Sequence, residues 1–352
     1  MINIYENHRL TGRLLIVRHG PGRGRLDDYH QTFLDDLARQ DPELHNHISL
    51  YYTGDASPDL GDVLAVIFWL GDPLRELYPQ CYADALVIAA RARAQGIRVV
   101  NSPEALSNTA KSVQSRLWKA AGIPAAAHYP FTSREMLEKL LGEIMFPAIL
   151  RPDLLHTQKS AVLCENAAEV RTLPDHAIVY PGTLTPLIDT RAGYQITQPD
   201  SVWARYYHKK RIYIFGDYVR THHVYFGKHP IVGVKSSTFE EYNGQRLFAH
   251  APWHWWTRCR PSIKADMDYW NEGGEHTDLM RRAIQALGLD FGAIDYSVFA
   301  DGQPVLWEVN PYFYLPPPHR ARLRHQRQID LRYAGIYAVM RRYLAGFLLP
   351  TE

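Results

Sequence analysis

Cysteine is scarce in this sequence. There are three in 352 residues, Cys81, Cys164 and Cys259, far apart along the chain. An odd, dispersed set builds no disulfide framework and suits a reducing cytosol, so a cytoplasmic protein is expected. Long apolar runs are also missing. The longest, Val63 to Leu70, falls far short of the roughly 20 residues that span a bilayer, and no membrane segment is expected. MINIYENHRL, at the start, lacks the apolar core of a secretory signal. Neither sign of charge dominates: 39 Lys+Arg stand against 37 Asp+Glu, which gives no electrostatic case for a nucleic-acid partner. The 17 histidines are scattered in HNH, THH and WHWW without a zinc-binding spacing. Internal repeats and low-complexity tracts are absent. What is present is apolar and aromatic material, 46% and 12% of the chain, enough for a large core and two or three subdomains.

The first hundred residues alternate strand and helix patterns. Residues 13–18 (RLLIVR) read as a buried strand, and the Gly-rich HGPGRGR (19–25) follows. Helical spacing runs from Asp27 to Arg39, with Phe33, Leu34 and Leu37 on one side. Val63 to Trp69 reads as a second buried strand, closed by Gly71-Asp72-Pro73. A helix spans about Pro79 to Gln95 and stops at Gly96, and Ile97 to Val100 is a third strand. This alternation predicts a parallel α/β layer. HGPGRGR is neither GxGxxG nor a P-loop. A plain turn and a ligand-contacting loop at a strand's C-terminal end both stay open.

Chemistry concentrates between Asp295 and Phe313, DYSVFADGQPVLWEVNPYF. Asp295 sits in an alternating apolar run. Asp301-Gly302 offers a hairpin turn, and a second run then delivers Glu308 and Asn310. Side chains two apart on a strand share a face, so Glu308 and Asn310 point the same way and Asp295 can meet them across the hairpin. Two carboxylates and an amide oxygen make a hard oxygen cluster suited to Mg²⁺.

Other segments are also legible. In NSPEALSNTAKSVQSRLWKAAGIP, from Asn101, Ser107 or Asn108 is placed to cap a helix that ends at Gly122. FPAILRP (146–152) reads as a strand ending in Arg151. Glu169 to His176 reads as a short helix and turn, and Ala177 to Tyr180 as a strand. Arg211–Phe215, Gly216-Asp217 and Tyr218–Arg220 make a hairpin. The stretch 226–275 is rich in Gly, His and Trp. Its Trp253, Trp255 and Trp256 either pack on the body or line a flap over a planar substrate. After a Pro-rich exit, a basic helix from about Arg320 to Leu344 keeps Ile329, Tyr333, Ile336, Tyr337, Met340 and Leu344 on one face. Its arginines are read as a solvated face.

Asp295 followed by Glu308-x-Asn310 resembles the metal-binding core of the ATP-grasp superfamily, and of its glutathione-synthetase-like carboxylate–amine ligases. The Asn101 segment, FPAILRP and the 211–220 hairpin resemble that family too, so the likeness covers roughly residues 100–315. It implies an ATP-grasp fold of α/β and α+β parts. An N-terminal Rossmann-like domain would occupy 1–102. An ATP-grasp domain of two α+β subdomains would occupy 103–318, with an insertion at about 226–275. A C-terminal helix, 319–352, would pack on the body.

The resemblance further implies ATP and Mg²⁺ as cofactors, with Asp295, Glu308 and Asn310 holding the metal. Lys111, Arg151, Lys159 and Arg211 would contact the nucleotide, Arg151 standing where the family has lysine. Arg211 and Arg220 would act on the terminal phosphate and an acyl-phosphate. Gln195 to Gln198 would supply the adenine hinge. The implied reaction joins a small carboxylate to an amine, amino-acid or peptide-like, and a homodimer through the N-terminal domain is an expectation. DLLHTQKSAVLCEN (153–166) lacks the glycines of the family's phosphate flap. A nucleotide-binding scaffold and a phosphotransferase therefore remain alternatives. Lys111 as an exposed helical lysine, Arg151 as a strand-end charge and Arg211 on a basic edge strand are the structural alternatives.

Overall fold

The computed structural model describes residues 10–20, 30–155, 160–233, 260–272, 274–314 and 324–349. Lys159, Thr157, Trp253, Trp255, Trp256, Cys259, most of HGPGRGR and the Pro-rich exit lie outside them.

The N-terminal sheet is parallel. β1 (Arg13–Arg18), β2 (Ile48–Tyr52), β3 (Val63–Phe68) and β4 (Arg98–Val100) stand in the order β2-β1-β3-β4. Continuous apolar runs such as LLIV and VLAVIF suit strands covered on both faces. The helix Gln31–Gln40 buries Phe33, Leu34 and Leu37, and the helix Pro79–Ala94 ends before Gly96, whose φ of +73° turns the chain into β4. β2 is an addition to the sequence reading. Its ISLYY alternates too weakly to stand out beside β1 and β3.

Two antiparallel sheets follow. β5 (Tyr129–Phe131), β6 (Ala148–Pro152), β7 (Val162–Cys164) and β8 (Gly182–Pro186) are ordered β5-β8-β6-β7. β9 (Tyr207–Phe215), β10 (Tyr218–Gly227), β11 (Phe291–Val298) and β12 (Pro304–Asn310) are ordered β10-β9-β11-β12. β9 is therefore interior, which removes the edge-strand reading of Arg211. The small sheet closes its own core around Phe131, Leu150 and Leu184. The β9–β12 sheet shares cores with the N-terminal sheet.

Three local expectations are corrected. The strand placed at Ala177–Tyr180 begins instead at Gly182. Pro181 has no N–H for a ladder, and a Cβ at Gly182 would meet the Phe131 ring at 2.4 Å. Ser107 and Asn108 do not cap the helix Lys111–Ala120. The Ser107 hydroxyl donates to Pro103 O and the Asn108 amide to Leu287 O, while Ser102 caps the short helix before them. The C-terminal helix, Arg324–Ala345, buries Ile336, Tyr337, Met340 and Leu344 as expected. However, Arg332 is buried rather than solvated, with its guanidinium 2.6 Å from Asp266. No helix among the described residues is long and apolar enough to cross a membrane.

Candidate functional site

A cavity of about 500 Å³ opens between the two antiparallel sheets. β6 contributes Ile149 and Arg151, β9 contributes Tyr207, Lys209 and Arg211, and β12 contributes Trp307, Glu308 and Asn310. Alternation places Tyr207, Lys209 and Arg211 on one face of β9. On the small sheet, the wall is completed by Thr185 to Ile188, at the end of β8 and just beyond.

The register of β11 explains the carboxylate cluster. Asp295 is paired with Glu308 on one side and with Arg211 on the other. The pairing then slips, so that Tyr296 meets Leu306 and Trp307 is left as a bulge. A bulge re-aims side chains, and here both Trp307 and Glu308 reach the cavity wall. The indole N–H of Trp307 donates to Ser297 Oγ at 2.8 Å, which pins the bulge to β11.

Asp295 is fully buried. Arg211 Nε and Nη2 donate to its two oxygens at 2.7 and 2.9 Å, and Lys209 Nζ lies 2.7 Å from Oδ2. Burial alone would raise this carboxyl. Arg211 and then Lys209 overcome burial and hold it below its ordinary value. Burial likewise pulls on the Arg211 guanidinium, but Asp295 keeps it well above its usual range.

The partners of Glu308 include Arg151 Nη2 at 3.4 Å and Lys111 Nζ at 4.0 Å. Lys111 is not an exposed helical lysine. It is fully buried, donates to Leu155 O at 2.6 Å, and is drawn down to about 8 by burial and by Arg151. The structure thus gathers Lys111, Arg151, Arg211, Asp295, Glu308 and Asn310 around one site.

Arg220 does not join them. It lies opposite Tyr213, two residues from Arg211 toward the hairpin turn, and stacks over Trp270 at 3.8 Å. Gln195 to Gln198 end a separate helix and are absent from the cavity wall. The only described residue of the expected flap on that wall is Ala161, and the opening of the insertion reaches it through Pro230 to Gly233.

Sequence reasoning missed Lys209, which reads as one more charge in YHKKR, and His128. The His128 ring meets Thr185 Oγ1 at 2.6 Å. Burial, with Arg151 and Lys111 nearby, pushes it down to about 3, so it stays neutral. Alternation from Arg211 would have found Lys209. A lone histidine in a linker carries no such signal.

The donor set fits a hard divalent cation. Glu308 and Asn310 offer oxygens at the wall, and Asp295 stands in register behind Lys209 and Arg211. Among the described residues, no three His, Cys, Asp or Glu side chains form a metal-binding group. The third donor here would be an amide. Four cations (Lys111, Arg151, Lys209, Arg211) surround two carboxylates, an excess that suits a polyphosphate.

No protein-family model matches this sequence, and no curated protein gives a significant sequence match. Solved structures do resemble the fold. The ATP-grasp ligase PsnB, complexed with a phosphomimetic variant of its minimal precursor, Mg and ADP, aligns with a TM-score of 0.54 at 15% identity. That alignment covers 96% of this chain and 99% of PsnB. The D-cycloserine synthetase DcsG aligns at 0.51 and 14% identity, over 93% and 99% of the two chains. The D-alanine-D-alanine ligase of Coxiella burnetii aligns at 0.51 and 9% identity, over 95% of each. Together with the Asp295–Glu308–Asn310 arrangement, these likenesses show that this chain has the ATP-grasp fold, in a sequence far diverged from those structures.

Proposed function

We propose that this protein is an ATP- and Mg²⁺-dependent ligase that joins a carboxylate to an amine through an acyl-phosphate. The observation that carries the reading is the buried Asp295, in register with Arg211 and with Glu308, which together with Asn310 lines a cation-rich cavity.

Asp295, Glu308 and Asn310 would hold the metal. When bound, the metal would neutralise charge on the β- and γ-phosphates. Arg151, Lys111 and Arg211 would supply positive charge to the phosphate chain, and Arg211, on the cavity wall, would face the transferring group. Ile149, Leu187 and Ile188 offer an apolar wall for the nucleobase. The substrate carboxylate oxygen attacks the γ-phosphorus, the bond to ADP breaks, and an acyl-phosphate forms. The amine then attacks the acyl carbon, phosphate leaves with the bonding pair, and the amine gives up its proton. The protein's share is alignment and electrostatic stabilisation. PsnB is described with a precursor peptide, and a peptide or amino-acid carboxylate is the substrate class proposed here.

The test is ATP turnover with a panel of carboxylates, with hydroxylamine as the trapping amine. Release of ADP and free phosphate together with hydroxamate supports the ligase. ADP formed while the phosphate stays esterified to a hydroxyl would replace it with a phosphotransferase.

A further inference from the structure

The two carboxylates of the site are held differently. Both oxygens of Asp295 are engaged by charged donors at 2.7 to 2.9 Å, the range of strong charge-assisted bonds. Lys209 and Arg211 line the cavity, whereas Asp295, fully buried, does not. Two cations therefore stand between this carboxylate and the cavity. Glu308 forms part of the wall itself, with Arg151 3.4 Å and Lys111 4.0 Å away.

Mg²⁺ needs its ligand oxygens at about 2.0–2.1 Å and cannot share a lone pair with a strong N–H donor. Three of the roughly four lone-pair sites of Asp295 are taken, and Lys209 and Arg211 stand across the approach from the cavity, so a metal coming from the cavity reaches this carboxylate only when a partner moves aside. Breaking a buried ion pair is costly unless the departing charge finds another anion. Arg211 grips Asp295 through two bonds in a planar fork. Lys209 makes one contact, from a compact ammonium on a flexible stem. Lys209 is thus the partner that leaves more readily. Its place on the cavity wall lets a phosphate oxygen receive it.

We propose that Lys209 is a latch. It holds Asp295 closed to divalent metal until a phosphate chain draws its ammonium into the cavity, so that metal enters this site with the nucleotide and not ahead of it. The proposal rests on the Mg-nucleotide reading above and adds an order of binding to it. The coupling is reciprocal: metal tightens nucleotide binding by the same factor as nucleotide tightens metal binding.

Mn²⁺ is the probe, with free ion followed by electron paramagnetic resonance and no nucleotide present. Wild-type protein should show no submillimolar Mn²⁺ binding. Lys209→Met should bind Mn²⁺ tighter by about tenfold or more, and Lys209→Arg, which keeps a charge on Asp295, should behave as wild type. In EDTA, the ATP analogue AMPPNP should bind Lys209→Met about fivefold or more weaker than wild type. Lys209→Gln repeats both arms if the methionine variant fails to fold. Identical Mn²⁺ curves for wild type and the uncharged variant, with AMPPNP still bound by wild type in the presence of metal, overturn the latch alone. Loss of metal-dependent AMPPNP binding by wild type overturns the nucleotide reading and the coupling with it.

Discussion

Asp295 and Glu308 stand directly opposite each other across β11 and β12, yet separate pairs of cations hold them, Arg211 and Lys209 for Asp295 and Arg151 and Lys111 for Glu308. The distribution separates these four residues from Arg220 and Arg332, whose partners lie elsewhere.

Arg211 and Arg220 share one hairpin and should differ sharply. If the protein is the ligase proposed above, Arg211→Ala removes positive charge that would face the transferring phosphate, and kcat/KM for ATP turnover should drop about 10²–10³-fold. Arg220→Ala removes a stack on Trp270 away from the cavity. It should leave ATP affinity unchanged and cost about 1 kcal/mol of stability. Equal losses of turnover in the two variants would contradict the placement.

Asn101 joins the N-terminal sheet to β11. Its Oδ1 accepts from the backbone of Asp290 and Phe291, and its Nδ2 donates to Phe291 O, all at a φ of +48°. Asn101→Ala loses these bonds and keeps the left-handed backbone. About 2–4 kcal/mol of destabilisation is expected in urea unfolding. Asn101→Gly should recover part of the loss, because glycine tolerates that φ.

Arg332 is buried against Asp266, whose other oxygen accepts from Val224 N at 2.8 Å. Arg332→Ala leaves a buried carboxylate short of its cation, and a loss of about 3–5 kcal/mol is expected. A thermal melt unchanged from wild type would contradict this.

His30, His128 and His208 are each pushed by burial from 6.5 down to about 3. Below about pH 6.5 the unfolded chain takes up protons that the native state refuses. Stability is therefore fully present above pH 6.5 and is lost as pH falls from there toward 3. Each histidine should cost about 1.4 kcal/mol at pH 5.5. Urea midpoints at pH 7.5 and 5.5 measure the loss, and His30→Phe, which keeps a ring stacked on Trp69, should reduce it. Equal midpoints at the two pH values would contradict the neutral burial.

Much of this was legible because period and turn chemistry are local. Apolar runs marked β1, β3 and β4, and glycines marked the turns at Gly96, Gly122 and Gly216, all at positive φ. The Glu308–Asn310 spacing placed two donors on one face. What stayed hidden depends on partners distant in sequence. Trp307 reads as an ordinary alternating residue until register with β11 makes it a bulge. Lys209 shares a strand face with Arg211, which alternation shows, but its pairing with Asp295 depends on a strand more than eighty residues away. Arg332 shares its helix with many arginines, and only Asp266, on another helix, separates it from them. Thr185 to Ile188 gave no motif, since an apolar cavity wall needs only shape.

The most direct test is calorimetric titration of ATP into the protein, with and without Mg²⁺, beside Glu308→Ala. Wild type should bind ATP more tightly with Mg²⁺, and the variant should lose most of that dependence. Absence of ATP binding by wild type, or the same Mg²⁺ dependence in both proteins, would contradict a metal–nucleotide site at Glu308.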